Sequence, residues 1–305
     1  MKHLSGVMKK WLLLTVGYLV LSQLLPVNQA ELHNYGLTSG QYHVLRFLLA
    51  LPLSLLWFAA FFGYAQLSQY AKAVAKTPEA EGYRRLTTGC YWLTLTLVIP
   101  SVVSLVFNPI SGSHPGFHTT AVILINYLIL GLTLLAFINI SNGTQELAAK
   151  AKHRFSAANT RSLQFFFVAG GVLYCYLTFR NIDLHSLAST NNPYYLPIWL
   201  LITSLFIPNL YAWFIGLLAA YEIGALARSS PGVLYQRALK LFALGLVAVI
   251  ACLISVQYLH TTIPRTGHLS LNSTLVITYS IYIGAIIGFA LLAWGAWRLK
   301  RIEEV

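Results

Sequence analysis

Eight stretches of about twenty mostly apolar residues follow one another along this chain, separated by short polar segments. A hydrocarbon layer about 30 Å thick is crossed by a helix of about 20 such residues. Backbone in oil must satisfy its own hydrogen bonds, which a helix does within itself. The stretches centre on residues 11–27, 44–68, 86–107, 119–141, 162–180, 196–220, 238–258 and 273–297. They predict an all-α fold, a polytopic helical membrane bundle of eight transmembrane helices arranged as four hairpins, with residues 1–305 forming one transmembrane domain. Only 9% of residues are charged and 57% are hydrophobic, where soluble proteins average about 25% charged. A soluble globular domain is thereby excluded.

The net charge of +12 raises nucleic acid as a partner, until the cations are sorted by segment. Seventeen of the twenty Lys and Arg residues fall in alternate inter-span segments, and the opposite set holds only Arg46, Arg180 and Arg265. Cytoplasmic loops of membrane proteins carry such an excess, so both termini are expected in the cytoplasm and no nucleic-acid partner is expected. The implied location is a bacterial cytoplasmic membrane. Trp11, Trp294 and Trp297 fall at the inner boundary, where an indole finds both apolar and hydrogen-bonding surroundings. The basic start through Lys10, the apolar run Trp11 to Leu25 and Ala30 also resemble a leader peptide. Asn28 at the third position before that cleavage point argues against it, and retention of the first span is expected.

A basic residue precedes an apolar run at Lys10-Trp11, Arg85-Leu86, Arg161-Ser162-Leu163 and Arg237-Ala238-Leu239, at starts about 75 residues apart. A regular period bears on the whole architecture, and here it predicts hairpin repeats over 8–82, 83–159, 160–234 and 235–305. Bilayer thickness alone imposes similar spacing on unrelated hairpins, so duplication and mere regularity both remain open. The returning helices are expected to continue as the Ala and Lys rich segments around Lys72 to Lys76 and Lys150 to Lys152, because those residues favour helix.

No ionisable residue falls at a midplane, where such groups mark ion pathways and proton relays. Retinal-linked, proton-coupled and voltage-sensing classes are set aside on that ground, and haem b carriers for want of stacked His ligands. Glu222 falls near an inner end, where a long side chain can reach polar surroundings. The embedded polar groups are neutral: Asn126 with Tyr127, Pro208 with Asn209 and Tyr211, and Ser255 with Gln257. A midspan proline, as at Pro52, Pro100 or Pro208, frees a backbone carbonyl for a partner or a substrate. Asn126, Tyr127, Pro208, Asn209 and Tyr211 are therefore the candidate interior binding residues. Gly284 and Gly288 have the spacing that lets helices approach closely, within the chain or in a homo-oligomer. Cys90, Cys175 and Cys252 read as packing residues.

Seven of nine histidines fall in outer segments, and His43 and His118 are 75 residues apart, as are His185 and His260. Imidazole binds transition metals and titrates near neutrality, so His43, His118, Arg180, His185 and His260 are the candidate outer-face site. The His114 to His118 interval contains Pro115 and Gly116 and is expected to be a loop. Ser111-Gly112-Ser113-His114 with Arg180 and His185 resembles membrane phosphatases of the phosphatidic acid phosphatase type. That resemblance implies lipid phosphate as substrate, with Arg and His as its ligands. The chain departs from the family's pattern by the inserted Ser113, by a short Arg180 to His185 interval and by lacking the Lys-rich first motif.

Three functions follow as expectations. The first is a transporter, channel or facilitator for a small uncharged solute. The second is a non-catalytic sensing or assembly component with an outer-face ligand or metal site. The third is an enzyme acting on lipid phosphate. Membrane lipids are the expected partners, attracted in part by the basic inner loops, and no cofactor is expected.

Overall fold

The computed structural model describes residues 2–24, 38–111, 115–150, 207–230, 232–262 and 271–303. Among the described residues there is no strand, and the regular structure is seven helices: α1 (Lys2–Leu24), α2 (Ser39–Ala73), α3 (Ala80–Ser111), α4 (Pro115–Lys150), α5 (Ile207–Ser229), α6 (Val233–Thr262) and α7 (Leu271–Glu303). Six of them, α2 to α7, are long and apolar enough to cross a membrane. The expected span over 162–180 lies outside the described residues, as do Cys175, Arg180 and His185.

Local chemistry sets the helix ends. Thr38 caps α2 through a reciprocal pair, its hydroxyl accepting from the Gln41 amide while the Gln41 side chain accepts from the Thr38 amide, which satisfies two donors that the first helical turn leaves orphaned. Ser230 closes α5 by donating to the Leu226 carbonyl, and Gln236 of α6 donates back to the Ser230 carbonyl. The helix α4 starts at Pro115, so His118 lies in helix where a loop was expected. Proline fits a first helical turn because its missing amide would be unpaired there anyway. The expected helical extensions are met in part: α2 passes Lys72 but ends at Ala73, leaving Lys76 in the turn, and α4 continues through Lys150, with Lys152 outside the described residues. At 35 and 36 residues each is about 50 Å long, well beyond the apolar thickness.

Each of α2 to α7 packs on its predecessor and α7 packs back on α2, which closes the six into a ring, with α1 on the outside against α2. Trp11 stacks on Phe61, Tyr18 lies against Trp57, and Arg46 donates to the Ser22 carbonyl. One apolar core draws Leu67, Leu86, Phe137, Ile223, Leu246 and Phe289 from all six ring helices. The outer surface is apolar as well, with Leu55, Leu135, Leu244, Val276 and Ile287 all exposed. Helices apolar all round suit oil rather than water. The helix directions gather the described cations at one end, here called the basic end: Lys72, Arg84, Arg85, Lys150, Arg228, Arg237, Arg298 and Arg301 among them. Arg46 is at the other. Arg298 and Arg301 lie over Trp294 and Trp297 at the basic end.

Two antiparallel pairs in the ring cross in the same way. In α3 and α4, a Cβ added at Gly89 would sit 2.8 Å from the Ala136 carbonyl oxygen, and one at Gly143 would sit 2.7 Å from that of Gly82. In α6 and α7, a Cβ at Gly245 would sit 2.6 Å from the Gly288 oxygen and one at Gly295 would sit 2.7 Å from that of Ala238. Gly89 and Gly245 are 156 positions apart, as are Gly82 and Ala238; Ala136 and Gly288 are 152 apart, as are Gly143 and Gly295. The third helices match too. Gly63 of α2 lies against Phe289 and Ala293 of α7, and Gly216 of α5 against the ring of Phe137 in α4. The close approach read from Gly284 and Gly288 is thus made within the chain, onto Cys252, Gly245 and Val249 of α6.

Candidate functional site inside the helical ring

Within an otherwise apolar ring, the buried polar side chains are the candidate functional groups. Most of the hydroxyls are already committed. Ser54, Thr133 and Thr144 donate to carbonyls one turn back in their own helices, and Thr94 donates to the Cys90 carbonyl. Such back-bonding removes the donor from competition. What remains is a smaller set with side-chain partners or none.

At the basic end, Tyr83 of α3 and Tyr235 of α6 are joined hydroxyl to hydroxyl. Tyr83 is 1% exposed, and it meets Tyr70 of α2 both edge to face, with ring centroids 4.7 Å apart, and through a side-chain hydrogen bond. Three helices of the ring therefore meet through tyrosines at one level. Gln66 of α2 is buried nearby in sequence, one turn before Tyr70.

Glu222 of α5 is 6% exposed. Gln145 of α4 is its side-chain hydrogen-bond partner, and its Oε2 finds no partner among the described residues. The sequence placed this carboxyl where it could reach polar surroundings; the packing of α5 against α4 buries it instead. A buried carboxyl with one open oxygen is costly, and a polar group left so in a folded core is a functional candidate. At the corresponding join of α7 with α2, the Lys300 ammonium donates to Gln69. Towards the other end, the indole Nε1 of Trp57 is buried without a partner among the described residues.

The interior residues singled out from sequence divide between the two surfaces of the ring. Asn209 is buried at 8% exposure, whereas Tyr211 is 57% and Tyr127 38% exposed, so the ring does not bring both tyrosines inward with Asn209. Pro208 lies beside Asn209 in the first described turn of α5. Asn126 lies in α4, and its side chain is outside the described residues. Of the outer-face set, His43 is half-buried in the first turns of α2. His118 and His260 are carried by α4 and α6, with side chains outside the described residues. Arg180, His185 and the Gly112 to His114 segment fall outside the description altogether. Among the described residues no group of three or more His, Cys, Asp or Glu is placed to hold a metal.

The tyrosines were missed in the sequence because each partner is distant: Tyr83 and Tyr235 are 152 positions apart. Their places at the starts of α3 and α6, just before Arg84 and Arg237, were the available signal.

Comparison of the chain with protein-family models, curated proteins and solved structures returns no match. The functional reading therefore rests on this ring and its polar interior.

Proposed function

We propose that the chain is a multi-pass membrane protein of eight spans, with its basic end and both termini in the cytoplasm, and that it carries a small uncharged solute through the helical ring. The observation that supports this best is a set of neutral polar side chains buried within an otherwise apolar core. Leu55, Leu135, Leu244 and Ile287 are exposed on the outside, while Asn209, Gln66, Tyr70 and Tyr83 are buried and Tyr235 is half-buried. A purely structural bundle gains little from inward polar groups, since interhelical hydrogen bonds in membranes contribute only about 0.6 kcal/mol each on average. Neutral amides and hydroxyls suit neutral hydrogen-bonding solutes, and the dominance of such groups disfavours ions. The matched crossings of α2–α4 and α5–α7 are read as duplication of a unit about 153 residues long, the separation of Gly63 and Gly216.

The test is reconstitution into liposomes and stopped-flow swelling with glycerol, urea and erythritol. The reading expects permeability above that of protein-free vesicles for at least one of the three, lowered by Asn209→Leu. Rates equal to protein-free vesicles for all three solutes would remove it.

A further inference from the structure

The ring has two halves, α2–α4 and α5–α7, in which each helix corresponds to the one three places further on and runs in the same direction. Two such halves in a closed ring are related by a rotation of half a turn about the ring's own axis. The helices α3 and α6 are therefore opposite one another across that axis. They are not extensively packed together as helices, because neither is the other's neighbour in the ring. Yet Tyr83 and Tyr235 reach across and join their hydroxyls at the basic end.

We propose that the Tyr83–Tyr235 pair, backed by Tyr70, is the gate at the basic end of a solute path along the ring's axis, an inference that rests on the transport reading and the orientation proposed above. Three observations carry it. The pair lies in the opening turns of α3 and α6, at the basic end of the core: Tyr83 is buried and Tyr235 half-buried. On the far side the same faces of α3 and α6 continue with Leu86, Cys90 and Leu93 and with Leu239, Phe242 and Leu246, all in the apolar core. The joins that surround the pair differ in kind. Within each hairpin the backbones touch at glycine, as at Gly89 with Ala136 and at Gly245 with Gly288, and such contacts hold the hairpins as rigid bodies. Across the axis, a hydroxyl-to-hydroxyl hydrogen bond joins tyrosine tips. Small rotations of the two halves, pivoting on the α2–α7 and α4–α5 joins, separate those tips without unpacking either hairpin, which is the rocking motion expected of repeated halves about a common path.

Cys90 is a native reporter. It is buried in the core and lies seven residues, two turns, beyond Tyr83 on the same face of α3. In a Cys175→Ser, Cys252→Ser background it is the sole thiol. Inside-out vesicles are treated with a membrane-impermeant cationic methanethiosulfonate, and modification is followed by mass spectrometry. The parent is expected to be protected. Tyr83→Phe with Tyr235→Phe, which keeps the rings and removes the hydroxyls, should raise the modification rate at least tenfold, and Tyr83→Ser with Tyr235→Ser should raise it further. With Cys252 as the sole thiol the same substitutions should change nothing, which separates gate opening from general unfolding. Unchanged protection of Cys90 in both double variants would overturn the proposal, as would rapid modification in the parent. Glycerol and urea swelling is measured on the same preparations. Opening of Cys90 without flux of either solute supports the closure and counts against the transport reading alone.

Discussion

The Tyr279 hydroxyl of α7 donates to the Leu48 carbonyl of α2. Leu48 is four residues before Pro52, and proline has no amide to offer the carbonyl one turn back. The neighbouring helix thus supplies the donor that the sequence of α2 withholds. Where water is absent an orphaned carbonyl is costly, so this contact both permits Pro52 and fixes α7 against α2. The two residues should be coupled. Tyr279→Phe is expected to destabilise the protein by about 1 kcal/mol and to cost close to nothing once Pro52→Ala restores the amide. A double-mutant cycle read by unfolding in mixed micelles checks this; equal costs in both backgrounds would show that the carbonyl is not the relevant partner.

The glycine crossings predict opposite effects for the same substitution. A methyl group at Gly89 or Gly245 would meet backbone at 2.8 and 2.6 Å, so Gly89→Ala and Gly245→Ala should each destabilise by about 1–3 kcal/mol. Gly131 has nothing within 4 Å, and Gly131→Ala should be neutral or stabilising by up to about 1 kcal/mol through helix propensity. Thermal unfolding in detergent distinguishes them.

Glu222 and Gln145 are expected to respond unequally. Glu222→Gln removes a buried acid while keeping a side chain able to bond Gln145, and should leave stability unchanged or raised. Gln145→Leu deprives the carboxyl of its partner and should cost about 1–3 kcal/mol. A Glu222→Gln variant that unfolds more readily than Gln145→Leu would mean that the carboxylate itself is bound by something in the folded protein.

Arg85 of α3 reaches Glu146 of α4 at 2.8 Å and Glu81 at 3.2 Å, with the three side chains 33–44% exposed. Partly exposed pairs of this kind are worth less than about 1 kcal/mol and are screened by salt. The Arg85–Glu146 coupling measured by double-mutant cycle should stay below that figure and shrink as NaCl is raised from about 0.05 to about 1 M, a range over which the screening length falls severalfold. The hairpin should hold without it, because the Gly82–Gly143 approach lies beside it.

How far the sequence could be read follows from what each feature depends on. Apolar length located α2, α3, α4, α6 and α7, and the Ala and Lys rich ends of α2 and α4 were legible because propensity is local. The faces were not. Helices apolar all round carry no period to show which side turns inward, so Asn209 and Tyr211, two positions apart, looked equivalent and proved to lie on opposite surfaces. Glu222 was placed by its distance from a helix end, whereas its burial depends on α4, which sequence order does not reveal. Pro52 was legible as a break, but Tyr279, its remedy, is more than 200 positions away. The 75-residue period was visible as regularity. The crossings at Gly89 and Gly245 become comparable only when the partners Ala136 and Gly288 are known.

We propose that the six apolar ring helices lie in a membrane with the basic end in the cytoplasm. Single cysteines at Lys76, in the turn between α2 and α3, and at Thr38, the cap at the other end of α2, test it in a background lacking the native thiols. Intact cells are treated with a membrane-impermeant maleimide before and after permeabilisation. Thr38→Cys is expected to label in intact cells and Lys76→Cys only after permeabilisation. Labelling of Lys76→Cys from outside, or recovery of the folded chain from cells without detergent, would contradict it.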